Sequence, residues 1–119
     1  MCTFIGVECV AANALIELYA HGRNEISFES LADYGLLVVE SYENEISERA
    51  LFIFDQERIT GMIMNYSDFF KVRAEGNTKY ICLRDNVDIR KVKERFRWTL
   101  SYAMLKALKH VDIKQVLEA

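Results

Sequence analysis

No proline occurs in the 119 residues, and glycine appears only five times. Proline therefore marks no boundary, and the ends of elements must be read from glycines and capping side chains. Cysteine is scarce as well. Cys2, Cys9 and Cys82 contain no CxxC pair, which excludes a disulfide scaffold and points to a reducing, cytoplasmic location. The two histidines, His21 and His110, follow helical segments without clustered carboxylates or cysteines, and two sulfurs at Cys2 and Cys9 do not make a zinc site. A phosphate-binding loop, a dinucleotide fingerprint and a nucleophile elbow are all missing. The expectation is a protein that is not an enzyme and uses no metal or cofactor. Residues 4–20 are apolar enough to resemble an export signal. No Lys or Arg precedes them, however, and Glu8 and Glu17 interrupt them, which argues against both a signal and a membrane span.

What is present suits one folded domain spanning 1–119. Hydrophobic residues make up 51% and charged residues 28%, enough to bury a core and too apolar for a disordered segment. The net charge of −3 is unevenly spread: residues 1–70 carry −9 and residues 71–119 carry +6. Such asymmetry suggests a polar partner at one end or self-association of unlike surfaces.

The pattern predicts a helix over 3–20, stopped at His21-Gly22, with apolar residues around nearly its whole circumference. Glu25-Ile-Ser-Phe28 reads as a very short strand. Ser27 or Ser30 then caps a helix reaching Tyr42, with Phe28, Leu31, Leu36 and Val39 turned inward. Residues 46–54 suit a helix, although Leu51-Phe-Ile-Phe54 alone could be a buried strand. Asp55 caps an amphipathic helix over 55–66, whose Ile59, Met62, Ile63 and Tyr66 form one stripe. Strands over 69–73 and 79–84 follow, joined by a loop containing Gly76-Asn77. A long helix opens at Asp88 and runs to about His110, with residues 112–119 as a frayed turn or a short extra helix.

The order is thus mainly α with a small β-hairpin. At Glu25-Ile-Ser-Phe-Glu-Ser-Leu-Ala-Asp-Tyr-Gly35 the chain looks like the second helix of a helix-turn-helix. From Ile59-Thr-Gly-Met-Ile-Met-Asn-Tyr66 through Arg84 it is similar to the third helix, strands and wing of winged-helix domains. The resemblance covers about residues 5–84 and is one of pattern. It implies a third helix laid in the major groove of double-stranded DNA and a wing contacting the backbone or minor groove. Residues 43–54 are longer than the usual connection between the second and third helices.

Two base readers are expected on the 55–66 helix, Arg58 for guanine and Asn65 for adenine. Phosphate contacts are expected from Lys71, Arg73, Lys79 and Arg84 on the hairpin and from Arg90, Lys93 and Arg97 on the last helix. That helix also bears Trp98, Tyr102 and Leu105 opposite its core stripe. With the apolar first helix, this patch argues for a homodimer built on the terminal helices. A second reading is a protein-binding module, an inhibitor or adaptor whose acidic first half meets a basic groove on its target.

Overall fold

The computed structural model describes residues 2–97 and 102–117, and only the main chain of Arg97 and Tyr102. Helices dominate, with five strands in two small sheets among the described residues. Strand β1 (Cys2–Ile5) leads into helix α1 (Val7–Ala20), and β2 (Glu25–Ser27) leads into α2 (Phe28–Ile46). Strand β3 (Arg49–Phe52) precedes α3 (Gln56–Asn65), and the hairpin β4 (Phe70–Glu75) and β5 (Thr78–Leu83) follows. Helices α4 (Ile89–Arg97), α5 (Tyr102–Lys109) and α6 (Ile113–Leu117) complete the described chain.

The expected caps are in place. Gly22 has φ 79°, and Arg23 N–H donates to Leu18 O at 2.9 Å while Gly22 N–H donates to Tyr19 O at 3.0 Å, the left-handed stop that ends α1. Ser27 Oγ accepts from Ser30 N–H at 3.1 Å to open α2, and Asp55 accepts from Arg58 N–H at 2.8 Å to open α3. Gly76, at φ 60°, turns the hairpin.

Three expectations need correction. Residues 2–5 are a strand, not the first turn of α1, because Cys2–Ile5 pairs in parallel with Arg49–Phe52 and Gly6 separates the strand from the helix. Residues 46–54 are not a helix: α2 runs on to Ile46, Ser47 stops it in the left-handed region at φ 59°, and β3 follows. The inner face of α2 is Leu31, Tyr34, Gly35, Val38 and Tyr42, which leaves Leu36 exposed. Gly35 sets that phase. A Cβ on it would stand 2.1 Å from the Phe52 ring, so glycine here makes room for that ring against α2. The fold is accordingly richer in strands than a mainly α chain with one hairpin.

The second sheet has the order β2–β5–β4 and is antiparallel throughout. Ile26, Phe70, Ile81 and Leu83 fill its inner face. One connected core runs from Ile5 to Val116. Helix α1 lies at its centre, packed by α2, α3, α4, α6 and strands β2 and β5. Its apolar circumference is thus largely covered within a single chain. Of the proposed self-association patch, Trp98 and the side chain of Tyr102 lie outside the described residues, whereas Leu105 is 41% exposed.

Gly35→Ala is expected to destabilise the fold by about 1–3 kcal/mol, the usual cost of overpacking. Phe52→Leu in the same chain should recover part of the loss, and urea unfolding of the three variants measures both effects.

Glu17 supplies a second test. Burial pushes its carboxyl above the ordinary range, the Ile113 backbone N–H partly offsets this, and Asp112 adds to the rise. A raised folded-state pKa means that stability is fully present below the unfolded value and is lost as pH rises through the folded one. Glu17→Gln should therefore raise the thermal midpoint at pH 7 and have little effect at pH 4.

Candidate functional site

The expected phosphate contacts fall on two different faces of the second sheet. Side chains directly opposite one another share a face, so Lys71, Arg73, Tyr80, Cys82 and Glu25 line the outer side. There Arg73 donates through Nε to Glu25 Oε1 at 3.1 Å, pairs again with Glu25 Oε2, reaches Glu75 at 3.0 Å, and stacks over Tyr80 at 4.3 Å. These hydrogen bonds hold its pKa above the ordinary arginine value. Lys71 pairs with Asp85 at 3.7 Å. Beneath this cluster Cys82 is buried yet stands apart from the apolar core, and burial, with Glu25 beside it, pushes its thiol upward. A thiol held protonated is a poor nucleophile.

Arg84 donates through Nε to the Ser67 carbonyl. Arg90 pairs with Asp88 at 3.4 Å, and the Asp88 carboxyl is lowered chiefly by its hydrogen bonds to Arg90. Lys93 is exposed on α4, as is Lys91, and the side chain of Arg97 lies outside the described residues. Lys71, Arg73 and Arg90 of the expected basic surface are therefore already paired with the chain's own carboxylates.

Lys79 is different. It shares the sheet's other face with Val72, and both line a small groove with Phe28, Gln56, Ile59, Thr60, Ile63 and Met64. The groove joins the outer flank of α3 to the hairpin. Met64, 74% exposed, and Val72, 44% exposed, make it apolar, and Lys79 adds a charge at its edge.

On the other flank of α3 the structure brings Arg58 and Asn65 to one cleft of about 370 Å³, with Phe4, Val7, Glu8, Gly61, Met62 and Tyr66. Arg58 is not presented as an open base reader. Its guanidinium lies 5.1 Å from the centre of the Phe4 ring, and its Nε is enclosed without a hydrogen-bond partner. Such an orphaned donor costs about 1–3 kcal/mol. The first turn of a helix also disfavours a cation, by about 0.3–1 kcal/mol. Asn65 is exposed at the far end of the same wall.

The sequence reading missed two participants. Phe4 supports Arg58 only because residues 2–5 form a strand, and Arg95 lies 5.1 Å from the centre of the Tyr66 ring. Tyr66 in turn packs on Phe70 and Phe96, which ties α3, β4 and α4 together. Arg95 stands beside Phe96 in the sequence, but its ring partner Tyr66 lies just past the end of α3.

Comparison with protein-family models, curated proteins and solved structures returns no match. No group of three or more metal-binding side chains occurs among the described residues, and no helix there is long and apolar enough to cross a membrane.

Gly61 gives a direct test of this wall. It sits inside α3 with nothing within 4 Å of a Cβ built on it. Gly61→Ala should therefore stabilise the protein by about 0.4–1 kcal/mol, measurable as a higher urea midpoint.

Proposed function

We propose that this chain is a small DNA-binding regulatory protein on a winged-helix-like scaffold, acting in the cytoplasm as a homodimer. The observation that carries the reading is the sheet order β2–β5–β4 beside a capped α3, because the strand before the second helix joins the hairpin and sets α3 and the hairpin side by side. A winged-helix reader needs that juxtaposition to offer a helix and a wing to one duplex. In this reading Thr60, Met64 and Asn65 face the groove, and Lys79, Lys91 and Lys93 supply phosphate contacts. Arg73 and Lys71 contribute little, since their charges are already met by Glu25, Glu75 and Asp85. Leu105 belongs to the proposed dimer contact.

A protein-binding module on the same scaffold is the second reading. It is favoured by Met64 and Val72, which leave an apolar strip between α3 and the hairpin. Apolar contact surface of this kind suits a protein partner better than a phosphate backbone.

Gel shift against mixed genomic fragments at two salt concentrations separates the two. Salt-sensitive binding that weakens in Lys79→Ala and is little changed in Arg73→Ala supports the DNA reading. Absence of binding at low salt rejects it in favour of the protein-binding one.

A further inference from the structure

The cleft between the start of α1 and α3 holds a cation that the chain leaves unused. Arg73, Lys71 and Arg90 each meet a carboxylate, but Arg58 makes no ion pair among the described residues, and this half-buried side chain lines the cleft. The Phe4 ring fixes the guanidinium instead of neutralising it. Three positions after Arg58, on the same wall, stands Gly61, an interior helical glycine with empty space where its side chain would be. Its own chain does not require that space. Glycine here keeps the cleft open to something that approaches the helix backbone. Asn65 ends the wall with a side-chain amide that bonds to no described residue.

Glu8 faces the same space, and its carboxylate is folded back onto the first turn of α1, 2.5 Å from where a Cβ on Gly6 would stand. That helix start has no side-chain cap hydrogen bond, and its positive end favours the carboxylate. One cation beside one anion leaves the cleft a seat for a single oxyanion group at Arg58.

We propose that this cleft is an oxyanion site, in which Arg58 takes one phosphate or carboxylate group and the remainder of the ligand lies over Gly61 toward Asn65. The group can come from a small organic acid or phosphate, or from the backbone of a nucleic acid. The site rests on Arg58, Gly61 and the cleft, and does not depend on the DNA reading.

The test is an NMR titration of the arginine Nε–H and asparagine amide signals with inorganic phosphate and with acetate, at ionic strength held constant by sodium chloride. A saturable shift at Arg58 and Asn65, and none at Arg90, is expected. Arg58→Gln should abolish the Asn65 response. Gly61→Leu, which fills the cleft and leaves the arginine in place, should abolish it as well, without lowering the thermal midpoint. No saturable shift at Arg58, or an Asn65 response that survives in both variants, overturns the proposal. Adding a DNA duplex assigns the source. Displacement of phosphate from Arg58 makes the seat one for a backbone phosphate, and retention makes it one for a free anion. Saturable phosphate binding with no gel shift keeps the oxyanion site and rejects the DNA reading.

Discussion

Burial of α1 is the constraint on which the other elements depend. Ala11, Ala12 and Ala14 are fully enclosed, and their small side chains on successive sides let neighbours approach the helix from several directions at once. Val10, Leu15 and Leu18 then fill the spaces between those neighbours. Each such aliphatic side chain contributes about 1.5–3 kcal/mol when removed from water, so this one helix gathers a large part of the driving force for the fold. The elements around it are short, and several would be marginal alone. A two-stranded sheet such as β1–β3 has little independent stability in water. It persists here because its ends run directly into α1 and its face lies against α2.

The charges follow a different logic. The acidic first half and basic second half are not two separate surfaces. They interleave where β2 joins the hairpin, so that Glu25 from the acidic half meets Arg73 from the basic half. Formal charge along the chain therefore overstates the field that a partner would meet. Arg58, Lys79 and Lys93, which form no ion pair among the described residues, stand on or near α3 and α4 instead of on the outer face of the sheet.

Local signals were legible in the sequence, and distant pairings were not. Ser27, Asp55, Gly22 and Gly76 act through neighbours a few residues away, so their roles could be read from the chain alone. Strand β1 could not. Cys-Thr-Phe-Ile runs without a break in hydrophobicity into α1, and only its parallel partner Arg49–Phe52, far along the chain, makes it extended. The same pairing explains the error over 46–54, where Ala50 and Leu51 suit either state until β1 is present to bond them. The inner phase of α2 was obscured because glycine carries no hydrophobic signal, although Gly35 is where Phe52 sits closest. For the site, Arg58 and Asn65 were recognised as non-core positions of one helix. Their common cleft also requires Phe4 and Glu8, which only the pairing of β1 with β3 brings to the wall of α3.

The position of α3 gives the two grooves beside it a physical connection. The helix is anchored by few fully buried side chains, Ile59 and Met62, and its remaining contacts are at its flanks. On one flank are Phe4 and the start of α1, and on the other are the hairpin residues Val72 and Lys79. Ile59 lines the hairpin groove and Met62 lines the cleft, so the two anchors each form part of a different wall. A group seated in the cleft as proposed would touch Met62 and Arg58, which share α3 with the Thr60 and Met64 of the hairpin groove. An occupant can bias the position of α3 only by as much as its affinity differs between arrangements of that helix.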